Sequence, residues 1–158
     1  MVFELINVIV AMKMNEMKEK ITVTSNLEDL YLVRCFIGNA ACRAGFGESE
    51  TWKIILAVDE ACSNVIRHAY NGKTDRNFEI TVEFDDNRFV VHIDDAGSGY
   101  DLRNHRAPNL QDCIAKRKAG GLGIRIIKEL VDEIDYQQVD NRNKLTLTKH
   151  LPLEAANA

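Results

Sequence analysis

Residues 51–70, TWKIILAVDEACSNVIRHAY, constrain the fold more than any other stretch of the chain. Ile55, Val58, Cys62, Val65, Ile66 and Ala69 recur at three- and four-residue intervals, which predicts one long amphipathic helix with a core-facing stripe. Beside that stripe, Glu60, Asn64 and His68 stand at i, i+4 and i+8, so their side chains line one face within reach of a single ligand. A carboxamide oxygen suits Mg2+, a hard cation that takes oxygen ligands and keeps several of its waters. A carboxylate one turn away suits a proton acceptor or a water-ordering group. Polar residues on a helix are most often simply solvated, so the helix by itself does not decide between a site and a wet surface.

The rest of the composition narrows the class. A chain of 158 residues can bury one sizeable core without staples, which predicts a single domain. The net charge of -4 and a pI near 5.6 do not provide the basic footprint that nucleic acid demands, and point to a protein or small-molecule partner. Cys35, Cys42, Cys62 and Cys113 form no C-x-x-C pair and read as reduced thiols of a cytoplasmic protein, the first three as small apolar residues inside helical patterns. The opening MVFELINVIVAM carries Glu4, has no basic leader and is too short to span a bilayer, so neither a signal peptide nor a membrane anchor is expected. With Met12, Met14 and Met17 close behind, it reads either as a start placed too far upstream or as a short element that packs on a partner. The expected organisation is an extension over residues 1–18, one domain over 19–152 and a frayed tail over 153–158.

In chain order, Ile21 and Val23 alternate with threonines as a first strand. Ser25 or Asn26 then caps a helix that buries Leu30, Val33, Ile37, Ala40, Ala41 and Ala44 and stops at Gly45 and Gly47. The long helix follows, with Ser49 as its expected cap and Gly72 at its end; Trp52 on it reads as core or dimer surface, and His68 as a helix-end residue packing near Tyr70. Period-two alternation at Phe78, Ile80, Val82 and Phe84, then at Phe89, Val91 and Ile93, predicts an antiparallel hairpin turning at Asp86-Asn87. Residues 101–119 are polar and hold Pro108 and five basic side chains, a length and composition expected of a lid. Gly120-Gly121-Leu122-Gly123 opens another helix. Two final strands, 134–139 and 144–151, are expected to join through a turn at 140–143. The order β-α-α-β-β-loop-α-β-β predicts a two-layer α/β sandwich, a mainly antiparallel mixed sheet covered on one face by helices.

Three features then call for one explanation. Asp95 with Gly97 and Gly99 follows a strand directly, Gly121 with Gly123 opens a helix, and the basic loop lies between them. Glycines let backbone N–H groups approach a polyphosphate, and a helix N-terminus adds the favourable end of its dipole. A carboxylate at a strand end can accept from an exocyclic amine such as that of adenine, so Asp95, the glycine turns and Asn64 together suit ATP with Mg2+. A dinucleotide fold is excluded by the missing third glycine, and a P-loop by the lack of Gly-Lys-Ser/Thr. Ser98 in A-G-S-G-Y lacks the outer glycines of a nucleophile elbow and has no pairing with His68, His92 or His105.

Glu60-Ala61-Cys62-Ser63-Asn64, Asp95-Ala96-Gly97-Ser98-Gly99 and Gly121-Leu122-Gly123, in this order, resemble the N, G1 and G2 boxes of the GHKL ATP-binding superfamily with its Bergerat fold. Over residues 21–151, and above all in VDEACSNVIRHAY and GGLGIRIIKELVDEIDY, the chain is similar to the bacterial anti-sigma factor serine kinases. The resemblance implies Glu60 as the general base toward a substrate serine, Asn64 as the Mg2+ ligand and Asp95 as the adenine reader. It implies Gly97, Gly99, Gly120, Gly121, Leu122 and Gly123 around the phosphates, with Lys118 beside them. It also implies two partners, a STAS-domain anti-sigma factor antagonist that is phosphorylated on serine and a sigma factor that is held inactive, and a homodimer. The chain departs from the pattern twice. Ala119 stands where some members carry an arginine toward the γ-phosphate, which keeps open a non-catalytic, nucleotide-dependent binding module. Lys144 stands where some members support the adenine-reading Asp with a threonine, and Thr146, two residues on, is the expected substitute. A sensor-kinase core acting on a histidine in trans is the third reading.

Overall fold

The computed structural model describes residues 17–106, 109, 111 and 121–152. The first described element is strand β1 (Met17–Thr24), which starts inside the segment expected as an extension. Helix α1 (Leu30–Ala44) follows a short 3-10 turn whose cap is Asn26; the Asn26 side chain accepts from the Glu28 N–H at 3.2 Å. Gly45, at φ 101°, ends α1 in a left-handed conformation that a side chain would resist. The long helix α2 (Glu48–Asn64) has Gly47 rather than Ser49 at its cap. Past Asn64 it widens to π geometry over Val65–Ala69. Strands β2 (Asn77–Phe84) and β3 (Arg88–Asp95) form the expected hairpin. Helix α3 (Leu122–Leu130), strand β4 (Glu133–Val139) and strand β5 (Arg142–His150) complete the described chain.

The five strands lie in the order β1-β2-β3-β5-β4. Every pairing among the described residues is antiparallel, which corrects the expectation of a mixed sheet. The physical reason lies in the last hairpin. It inserts β5 between β3 and β4, so the two strands that run in the same direction never pair. That hairpin turns on two residues only, Asp140 at φ 50° and Asn141 at φ 62°, the paired positive angles of the tight turn that matches strand twist. Strand β5 therefore begins at Arg142, two residues before the expected position, and Asn143 lies in the sheet opposite Asp95.

The core sits between the helices and one face of the sheet. Phe78, Ile80, Val82, Phe89, Val91, Ile93, Leu145 and Leu147 point into it and are met by Val33 and Ile37 of α1, Ile54 and Val58 of α2 and Ile127 of α3. Each such side chain contributes roughly 1.5–3 kcal/mol by leaving water. The other face of the sheet is wet and carries the ion pairs Lys18–Glu83 at 2.6 Å and Lys20–Glu79 at 2.7 Å. Cys62 is fully buried, whereas Cys35 and Cys42 are exposed on α1 rather than taken into the core. Trp52 lies at the surface, 61% exposed. Cys113 and the basic residues at 116–118 lie outside the described residues.

Candidate nucleotide site

The geometry starts at the C-terminal half of α2. Glu60 and Asn64, one turn apart, line a cavity of about 490 Å³ together with Arg67, His68, Tyr100, Gly121, Leu122 and Gly123. The volume is within the range of small-molecule sites. The sequence brings α3 this close to α2 through Gly123. A Cβ there would overlap the Glu60 carboxylate, so glycine lets α3 approach while that carboxylate keeps its place. Gly121 precedes the first turn of α3 at φ 91°, another position where a side chain is strained. The first N–H groups of α3 lack intrahelical acceptors and are available to an anion at the cavity wall.

Asp95, at the end of β3, is the second centre. It is 5% exposed. Its Oδ1 accepts from the Gly97 N–H at 2.8 Å and from Asn143 Nδ2 at 2.8 Å, and Asn143 Nδ2 also donates to the Gly97 carbonyl at 3.1 Å. Burial pushes the Asp95 carboxyl above the usual range, and the donors from Asn143 and Gly97 pull part of the way back. Asn143 is itself fully buried. Gly99, at φ 87°, continues the turn and lets it close on Tyr136, Gln138 and Asn143.

The two centres are tied together at the π turn. The Ala69 carbonyl accepts from the Ser98 N–H at 2.9 Å and from the Ser98 hydroxyl at 3.3 Å. A Cβ on Gly97 would run into that same Ala69 carbonyl, so the turn after β3 lies flat against the end of α2. Tyr70 adds a second tie: its hydroxyl donates to the Asn77 carbonyl at 2.6 Å and accepts from the Ala96 N–H at 3.1 Å. Wide turns of this kind inside helices recur at functional sites.

The structure thus brings together Glu60, Asn64, Gly121, Leu122 and Gly123 around one cavity, and Asp95, Gly97 and Gly99 around one turn. Asp95 and Gly99 do not line that cavity. Gly97 lines a second one, of about 340 Å³, on the side of Lys73 and Arg76. Tyr100 leads from the Asp95 turn to the cavity; its ring is stacked between His68, with centroids 4.6 Å apart, and His105, at 4.3 Å. His68 therefore packs on Tyr100 rather than on Tyr70. Thr146 is a correction. Its hydroxyl meets His92 Nδ1 at 3.0 Å on the wet face of the sheet, whereas Asp95 belongs to the buried face. Asn143 supports Asp95 instead. The expected register missed it because the four polar residues 140–143 all resemble turn residues. Lys118 and Gly120 lie outside the described residues, as does Ala119.

One feature fits a magnesium-bound nucleotide. The Asn64 side-chain nitrogen is enclosed without a hydrogen-bond partner among the described residues. Amide orientation follows from such partners, so this carboxamide is free to present its oxygen to a cation. Among the described residues no three His, Cys, Asp or Glu side chains cluster as metal ligands; a cation here would rely on Asn64, water and phosphate oxygens, the usual habit of Mg2+.

Comparison with known proteins bears on this geometry. The model of the histidine kinase-like ATPase domain matches residues 23–149. The serine/threonine-protein kinase BtrW of Bordetella bronchiseptica is 26% identical over 138 residues, which cover 87% of this chain and 94% of that protein. The serine-protein kinase RsbW of Bacillus subtilis is 29% identical over 149 residues, 89% of either chain. Among solved structures, one chain of the SiaB–SiaC complex of Pseudomonas aeruginosa has a similar fold, with TM-score 0.59 and 13% identity over 95% of this chain and 98% of that one. The RsbU and RsbW domains of a Mycobacterium tuberculosis protein also give TM-score 0.59, at 16% identity over 86% of this chain, which spans 33% of that longer one.

Proposed function

This chain belongs to the histidine kinase-like ATPase family, and on that premise we propose that it is an ATP-dependent protein serine kinase and anti-sigma factor that works by partner switching. Its substrate is a STAS-domain anti-sigma factor antagonist, and its other partner is a sigma factor held inactive. The observation that carries this reading is the placement of Glu60 and Asn64 on one wall of a cavity whose opposite wall is the glycine-opened N-terminus of α3.

Each residue has a part in the reading. Asp95 accepts from the exocyclic amine of adenine, and Asn143 keeps its carboxylate aimed. Asn64 holds the Mg2+, which when bound neutralises phosphate charge. Backbone donors around Gly97, Gly99, Gly120, Gly121, Leu122 and Gly123, with Lys118 beside them, cradle the phosphates. Glu60 takes the proton from the serine hydroxyl as its oxygen forms the new bond to phosphorus and ADP leaves. General-base help of this kind is worth about a hundred- to ten-thousandfold in rate. The phosphate adds charge to the antagonist and releases it, which frees the kinase to take the sigma factor. The protein acts as a homodimer in the cytoplasm, without direct contact to nucleic acid or membrane. No helix among the described residues is long and apolar enough to cross a bilayer.

The test is transfer of phosphate from Mg-ATP to a serine of a purified STAS-domain protein. Phosphoserine with the wild type and its loss with Glu60→Gln are expected. Nucleotide-sensitive partner binding with no phosphoserine would instead assign the chain to the non-catalytic class of binding module.

A further inference from the structure

Trp52, Leu56 and Glu60 follow one another at i, i+4 and i+8 along α2, so a single stripe runs from the start of the helix to the cavity. Its first two members are apolar and open to water, Trp52 at 61% and Leu56 at 43%. Leu122, 38% exposed, continues the apolar surface on the far wall of the cavity mouth. Single exposed leucines are ordinary; a tryptophan and a leucine in line with a proton acceptor are a surface with a direction. Two cations beside the stripe are taken, Arg34 by Asp59 at 2.7 Å and Lys53 by Glu50 at 2.6 Å, while Glu48 at the groove has no ion pair among the described residues. The exposed Trp52 and Leu56 between them offer an apolar face to a protein.

Beside Trp52 lies a groove of about 380 Å³ between α1 and α2, lined by Cys35, Gly38, Cys42, Thr51 and Ile55. Its floor is open because Gly38 has no side chain; a Cβ there would stand 3.2 Å from the Ile55 methyl. Eight residues of helix separate Trp52 from Glu60, about 12 Å. An extended peptide covers that distance in about four residues.

We propose that this stripe is the docking track of the protein substrate. An aliphatic or aromatic side chain of the partner seats in the groove beside Trp52, the intervening segment lies over Leu56, and the acceptor serine reaches Glu60. The proposal rests on the kinase reading for its substrate class, but the surface is tested separately.

Trp52 is the only tryptophan of the chain, so its emission reports on the stripe directly. Titration with the purified STAS-domain protein is expected to shift that emission to the blue. Leu56→Asp is expected to abolish the shift and to raise KM for the STAS protein about tenfold or more, with kcat and ATP affinity kept. An emission maximum that does not move, or a Leu56→Asp variant with unchanged KM, overturns the proposal. A blue shift that follows the concentration of this chain alone also overturns it and assigns the face to a second copy. Absence of phosphoserine with the wild type would remove the kinase reading only; the emission shift and its loss in Leu56→Asp would still decide the docking surface.

Discussion

Asn143 and Asp95 face each other across the β3–β5 ladder, and the Asn143 side-chain nitrogen donates to Asp95 Oδ1 at 2.8 Å inside the core. Asn143→Ala removes that bond and the one to the Gly97 carbonyl. A loss of about 1–3 kcal/mol is expected from the two lost buried hydrogen bonds, together with weaker ATP binding. Urea unfolding and calorimetry check both. Thr146→Ala, on the opposite face, is expected to cost under about 1 kcal/mol and to leave ATP affinity unchanged.

The buried Asp95 carboxyl makes stability depend on pH. Its folded pKa is raised, so the folded chain holds that proton more tightly than the unfolded chain does. Below the unfolded value both states are protonated and the group contributes nothing. As pH rises through the folded value, the charge must be carried inside the protein and stability falls. Asp95→Asn, which keeps an oxygen for Gly97 and Asn143, is expected to melt higher than the wild type at neutral pH while losing ATP binding. The gap should close on acidification. A gap in melting temperature that stays constant with pH would contradict the assignment.

Gly123→Ala separates catalysis from folding. Its new Cβ meets only the flexible end of Glu60, which can swing aside, and alanine favours a helix over glycine by about 1 kcal/mol. Thermal stability is expected to hold or rise, whereas phosphoryl transfer falls about a hundredfold as Glu60 leaves its place. Parallel melting curves and single-turnover rates are the measurement.

Gly97→Ala behaves in the opposite way, because the obstacle is the Ala69 backbone rather than a side-chain tip. Overpacking of this kind costs about 1–3 kcal/mol. The turn should lift from α2 and take Asp95 with it, so stability and ATP affinity fall together in chemical unfolding and calorimetry. A variant with normal stability and affinity would show that the close contact carries no weight.

Much of this was readable in the sequence for a physical reason. Helix and strand periods are local, so the stripe on α2 and the alternation from Phe78 to Ile93 needed no tertiary information, and the Glu60–Asn64 spacing follows from helix pitch alone. Asn143 was hidden because residues 140–143 are all polar, and the choice between a four-residue and a two-residue turn rests on backbone angles that Asp140 and Asn141 adopt only in the folded hairpin. A four-residue turn there starts the strand two residues late and leaves Thr146, on the opposite face, as the substitute. The His68–Tyr100–His105 stack was equally invisible. It joins a helix to a loop more than thirty residues away in sequence, and no local period encodes such a meeting.

The Ala69 carbonyl, gripped by both donors of Ser98, makes a fixed gauge of the site. On the proposed reading, the cation-holding end on α2 and the base-reading end on β3 are joined by that clasp, so the length of ligand that would meet both is set before anything binds. Compliance is left to the α3 wall, where the nearest neighbour of Gly123 is a swinging carboxylate.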